Sequence, residues 1–291
     1  MKIKFVSNYD NDFNIYKSII NCFCSSKEDI DMLTFEEDYD YLGVLNGTRQ
    51  KPNIKRENIF GFLQEPVGNI NYDRNLHFYC SKIFCQSKEM FNSYKGIIES
   101  PLQMFYSNHV ITNKNFFQDL SFEKNKNLCI FISSINNPNN ANWINHNYHK
   151  RIKFLSKILE SDLEIDIFGR GLNIKDIRYK GSPENKHEIL KKYKFSIAIE
   201  NCCEKNYVSE KFFDCILNNT IPLYYGCPNV DEIFGEDTHI KINIEDNDII
   251  DKIKCIVNPE INYEKNILEA KNNYFYKLNP LLKIKEYIKN V

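Results

Sequence analysis

A chain of 291 residues is long for one domain and comfortable for two, each with enough interior to bury its own core. Its 38 Lys and Arg nearly balance 39 Asp and Glu, so no global field draws it to nucleic acid, and any anion site has to be local. No run of about 18 apolar residues occurs, and Met1 to Cys24 lacks a signal peptide's apolar core and cleavage site, so a soluble, cytoplasmic chain is expected.

The N-terminal part reads as an α/β domain. Ile3 to Ser7 predicts a strand, Phe13 to Phe23 a helix, Tyr41 to Leu45 a strand, Ile59 to Leu63 another, and Lys82 to Cys85 another before a helix over Lys88 to Tyr94. Glu65 thus falls at the carboxyl end of a strand, the edge where parallel βα units place functional groups. The plainer alternative is a surface carboxylate in a turn ahead of Pro66. Asp10-Asn11-Asp12 and Asp38-Tyr39-Asp40 are read as surface loops, and no metal site is expected.

Polar residues from Asn113 to Asn127 read as a linker. Beyond it Leu128 to Ser133, Tyr148 to Leu159 and Glu164 to Phe168 alternate strand, helix, strand, as a doubly wound sheet requires. No G-x-G-x-x-G occurs, and Gly169-Arg170-Gly171 reads as a turn, which removes the main reason to expect a nicotinamide cofactor. Arg151 lies with His149, Lys150 and Lys153 near a helix start, where the macrodipole is already positive.

The most informative stretch is Phe195 to Gly226, FSIAIENCCEKNYVSEKFFDCILNNTIPLYYG. It reads as strand, polar loop, helix from Ser209, a left-handed stop at Asn218-Asn219, and a strand over Ile221 to Tyr225. Lys211 repeats the anomaly of Arg151, a cation in the first turn of a helix, and a helix N-terminus with a lysine and a tyrosine suits a phosphate. Solvated helix-start residues are the alternative.

Ten cysteines are scattered with no C-x-x-C pair, so a structural zinc site is not expected. Cys129, Cys215 and Cys255 read as buried, reduced thiols, in keeping with a reducing compartment, while Cys202-Cys203 falls in the polar loop. From Tyr263, Ile267, Ala270, Tyr274 and Leu278 keep helical spacing. After Pro280, Leu281, Ile284, Ile288 and Val291 face Lys283, Lys285 and Lys289. The expectation is a helical segment docked on the body, with weak contact to the cytoplasmic face of a membrane as the alternative.

ENCCEKNYVSEKFFDCILNNTIPLYYG resembles the donor-binding motif of glycosyltransferase family 10, the α1,3/4-fucosyltransferases: F-E-N, five or six residues, Y-V-T-E-K, an apolar helix and a strand ending in Gly. Glu200, Asn201, Tyr207, Val208, Glu210, Lys211, Pro222 and Gly226 match. Ser209 stands for the usual Thr and keeps its hydroxyl. HKRIKFLSKILESDLEIDIFGRG resembles the family's arginine-bearing helix and strand ending in Gly-Arg, which places Arg151 and Gly169-Arg170. IFGFLQEPVGN resembles its short E-x-P loop and places Glu65 on the catalytic glutamate.

The resemblance implies an α/β protein of GT-B type, two Rossmann-like domains facing across a cleft: 1–125 on the acceptor side, 126–262 for the donor, and 263–291 docking back. It implies an inverting transfer of L-fucose from GDP-β-L-fucose to a glycan hydroxyl, α1,3 or α1,4-linked. Glu65 is then the general base, Arg151, Lys211 and Tyr207 meet the leaving diphosphate, and Asn201 and Glu210 bind the nucleotide. No cofactor is implied, with a divalent cation at most non-essential. A transferase for another nucleotide sugar and a non-catalytic nucleotide-sugar or glycan-binding module remain the alternatives, and the acceptor is not legible.

Overall fold

The structure is a computed structural model and describes residues 1–66, 73–91, 94–102, 124–132, 147–257 and 263–289. The chain divides into two compact units, one of Met1–Gln118, Lys205–Tyr207 and Asn273–Val291, the other of Asp119–Glu204 and Val208–Asn272.

In the first unit β1 (Ile3–Ser7), β2 (Leu33–Thr34), β3 (Tyr41–Leu45), β4 (Ile59–Phe62), β5 (Lys82–Cys85) and β6 (Ile97–Glu99) form one sheet in the order β2-β1-β3-β4-β5-β6. Neighbouring strands pair in parallel. Strands of such a sheet are covered on both faces, which is why Leu42, Val44, Phe60 and Phe62 are all buried. Helix α1 (Asp12–Phe23) starts where the Asn11 side chain accepts from the Asn14 amide, and lays Ile15, Ile19, Cys22 and Phe23 into the interior. Helix α2 (Lys27–Met32) opens with a reciprocal Ser26 and Asp29 capping box, and α3 (Leu76–Tyr79) is a single turn. The helix expected over Lys88 to Tyr94 is a short 3-10 turn, Lys88–Phe91.

In the second unit β7 (Lys126–Phe131), β8 (Asp166–Phe168), β9 (Tyr193–Ile199), β10 (Ile221–Tyr225) and β11 (Ile240–Lys241) run in the order β11-β10-β9-β7-β8, again in parallel. Its helices are α4 (Tyr148–Leu159), α5 (Lys186–Leu190), α6 (Glu210–Leu217), α7 (Val230–Phe234) and α8 (Ile249–Val257). Ile130, Phe154, Ile158, Ile167, Ile197 and Leu223 meet in its core. Arg178 closes the end of α4, its guanidinium donating to the carbonyls of Ile158, Leu159, Ser161 and Leu163. Ser133 and most of the expected linker, 113 to 123, lie outside the described residues.

Helix α9 (Glu264–Lys277) contributes to both units, and α10 (Pro280–Lys289) belongs to the first. Their apolar stripe is already in use: Ile267, Ala270, Tyr274, Leu278, Leu281 and Ile284 are fully buried. Lys285 is bound to Asp29 at 2.6 Å, and Asn279 donates to the Phe23 carbonyl at 3.2 Å. The apolar face of these helices is therefore packed within the chain itself. No helix among the described residues is long and apolar enough to cross a membrane.

Candidate donor site and catalytic carboxylate

In each sheet the strand order changes direction beside the first strand, between β1 and β3 and between β7 and β9. Open α/β sheets bind ligands outside the carboxyl ends of the strands at such a switch point. The second unit brings four of the expected residues there. β9 ends at Ile199, and Glu200 follows with no solvent exposure. One Glu200 oxygen accepts from the Ser209 amide at 2.8 Å and from the Tyr224 hydroxyl at 3.3 Å, and the other accepts from Ser209 Oγ. Ser209 is also the N-cap of α6. The buried carboxyl thus fixes the loop's exit from β9 and its entry into α6.

Gly226 follows from this arrangement, because a Cβ there would stand 2.4 Å from Glu200 Cγ. Burial pushes the Glu200 carboxyl up from its ordinary pKa, against the pull of Lys211.

Asn201 takes the next place. Its side-chain oxygen accepts from Arg151 Nη2, and its carbonyl accepts from the Asn147 amide at 2.6 Å. Asn147 Nδ2 donates in turn to the Glu200 carbonyl at 3.1 Å. The start of α4 and the loop after β9 are therefore stitched together, with Arg151, only 5% exposed, lying over the Tyr148 ring at 4.8 Å.

Lys211 Nζ lies 2.9 Å from Glu210, 3.2 Å from Ser209 Oγ and 3.9 Å from Glu200. Two carboxylates of the chain itself thus answer the helix-start cation. For Glu210, with a side chain 45% exposed, partial burial raises the carboxyl, but Lys211 and then Lys186 outweigh it and bring the group down to about 2. It is an ionised acceptor at neutral pH. Lys150 is engaged elsewhere, at 2.6 Å from Glu245 and 3.1 Å from the Tyr225 hydroxyl.

The other two expected residues belong to the first unit. Tyr207 is 3% exposed in the short piece Lys205–Tyr207, where Asn206, at φ 64°, donates to the Gln86 carbonyl at 3.1 Å and accepts from the Leu102 amide at 3.3 Å. Glu65 follows β4, half-buried at the carboxyl edge of its sheet. Among the described residues no group of His, Cys, Asp or Glu is arranged to hold a metal ion. Cys129 and Cys215 are buried as expected, but Cys255 is exposed, two positions beyond the buried Ile253 and so off the inner face of α8.

Reading the motif by type missed what Glu200 does. Its signal was the hydroxyl kept at position 209, which a buried carboxyl needs as a donor.

Two parallel α/β units, each with a switch point at the carboxyl edge of its sheet, are the architecture of the GT-B class of glycosyltransferase folds. The model of "Glycosyltransferase family 10 (fucosyltransferase) C-term" matches residues 106–266, so the chain belongs to glycosyltransferase family 10. The chain is 27% identical over 180 residues to the alpha-(1,3)-fucosyltransferase FucT of Helicobacter pylori, covering 58% of this chain and 37% of that protein. It is 32% identical over 76 residues to GDP-fucose protein O-fucosyltransferase 3 of Xenopus laevis, covering 24% and 16%. The chain thus spans well under half the length of these curated relatives. A crystal structure of an α1,3-fucosyltransferase with GDP shares the fold over 99% of this chain and 90% of its own, with a TM-score of 0.54 and 16% identity.

Proposed function

We propose that this chain is an inverting fucosyltransferase that moves L-fucose from GDP-β-L-fucose to a glycan hydroxyl, giving an α1,3 or α1,4 linkage. The observation that carries the reading is the joint of Arg151, Asn201, Glu200, Ser209 and Lys211 at the switch point of the second unit. It supplies two cations and capped helix amides for a diphosphate, within a family described as fucosyltransferases. GDP is the nucleotide in the solved relative of the same fold.

In this reading Arg151 and Lys211, with Tyr207, offset charge as it grows on the departing diphosphate. Asn201 binds the nucleotide, and ionised Glu210 accepts from ribose hydroxyls. Glu65 removes the proton of the acceptor hydroxyl as that oxygen attacks the anomeric carbon and GDP leaves from the opposite face, which turns a β-linked donor into an α-linked product. Two fixed cations make a divalent cation non-essential. The chain acts in the cytoplasm, a reducing compartment that suits buried thiols such as Cys129 and Cys215.

The test is transfer with GDP-fucose, GDP-mannose and UDP-glucose against an oligosaccharide panel. Turnover of GDP-fucose with an α-linked product supports the reading. Preferential turnover of another sugar nucleotide, or GDP binding with neither transfer nor hydrolysis, contradicts it.

A further inference from the structure

The carboxyl edge of the first unit's sheet holds an aromatic side chain to which the transfer chemistry assigns no role. Tyr9 follows β1 and Asn46 follows β3, so the two flank the switch point of that sheet. The Tyr9 residue is 50% exposed, yet its hydroxyl is fixed, donating to Gln64 Oε1 at 2.8 Å. Gln64 is buried, adjoins Glu65 in sequence, and donates through its backbone amide to the Asn46 side-chain oxygen at 2.7 Å. Asn46 holds this position at φ 58°, a conformation asparagine tolerates better than most residues.

The loop bearing Tyr9 is closed as well. The Asp10 amide donates to Ser7 Oγ at 2.9 Å, Ser7 Oγ donates to the Asp10 carbonyl at 3.2 Å, and Asn14 Nδ2 donates to Asp10 Oδ1 at 2.9 Å. Burial around the hydroxyl, and then the Asp10 and Glu65 carboxylates, push the phenol's pKa up, so it stays a neutral donor to Gln64.

An exposed ring on an anchored hydroxyl has already lost its rotamer freedom, so a flat apolar partner binds it at small further entropic cost. A pyranose offers such a partner, with C–H bonds on one face and hydroxyls at the rim. An extended peptide would need a free strand edge to pair with, and β1, β3 and β4 are each paired on both sides.

Resting on the fucosyltransferase reading above, we infer that Tyr9 is the stacking platform for the sugar unit next to the one whose hydroxyl Glu65 deprotonates. The acceptor is then a saccharide of more than one unit, and Tyr9 is a specificity residue for it.

The experiment uses the full chain with GDP-fucose, lactose and N-acetyllactosamine as probe acceptors, and their component monosaccharides for comparison. Tyr9→Ala is expected to raise the disaccharide KM about tenfold, or about 1.4 kcal/mol. The monosaccharide KM, the GDP-fucose KM and slow hydrolysis of GDP-fucose without acceptor should stay unchanged. Tyr9→Trp should restore the disaccharide KM, and Tyr9→Leu serves if the alanine variant does not fold. A disaccharide KM unmoved by Tyr9→Ala, or raised equally for monosaccharides, overturns the inference, as does transfer to a peptide hydroxyl that is indifferent to Tyr9.

Saturation-transfer NMR of N-acetyllactosamine with GDP present gives a readout independent of turnover. Saturation passing from aromatic protons to one sugar's C–H face, and lost in Tyr9→Ala, supports the platform even if no fucose moves, in which case the functional reading alone fails. Absence of that transfer in the wild type overturns the platform.

Discussion

The two units share one strand order around one kind of switch point, β2-β1-β3-β4 in the first and β8-β7-β9-β10 in the second, and differ in what their carboxyl edges carry. The first edge presents neutral amides, a half-exposed tyrosine and two carboxylates: Asn46, Gln64, Tyr9, Asp10 and Glu65. The second presents Arg151 and Lys211 set among Asn201, Glu200 and Glu210. In the proposed function the same scaffold serves a hydroxyl-bearing acceptor at one edge and a diphosphate at the other. Strand order decides where a ligand sits, and loop and first-turn residues decide which ligand.

That contrast can be broken at either edge. Glu65→Gln keeps the shape and removes the proposed base, and is expected to lower kcat for transfer by about 10² to 10⁴ in a coupled GDP-release assay. Glu200→Ala leaves the Ser209 amide, Ser209 hydroxyl and Tyr224 hydroxyl without their acceptor. A loss of about 3 kcal/mol of stability in urea unfolding is expected, with Glu200→Gln milder. Arg151→Lys keeps a charge but loses the planar fork, and GDP affinity should fall about tenfold by fluorescence titration.

A further expected effect is a pH dependence. Burial lowers His239 from its ordinary 6.5 to about 4, against the pull of Asp231 3.3 Å away. The unfolded chain therefore binds this proton at a higher pH than the folded one. Stability from a neutral His239 is present above 6.5 and is lost as pH falls through 6.5 toward about 4. His239→Gln should flatten the melting temperature over that window.

Much of the fold was legible because inner strands of parallel sheets are apolar on both faces. Tyr41–Leu45, Lys82–Cys85 and Ile221–Tyr225 lie where the sequence predicts them, as does the helix Tyr148–Leu159. The two-residue strands β2 and β11 and the five-residue helices α5 and α7 carry too little periodicity to be seen and are set by their tertiary neighbours. At the site, charge at the two helix starts was readable, but its pairing was not. Nothing in the sequence shows that Lys150 meets Glu245, or that Glu200 rather than solvent receives Ser209. Tyr9 was silent because an exposed tyrosine looks like any other until its hydroxyl partner is known.

The division of labour between the two edges is tested most directly by calorimetric titration of GDP into the wild type, Lys211→Ala and Glu65→Gln. The expected result is micromolar binding that Lys211→Ala weakens about tenfold or more, about 1.4 kcal/mol, and that Glu65→Gln leaves unchanged. Binding insensitive to Lys211, equally sensitive to both residues, or tighter for UDP than for GDP would contradict it.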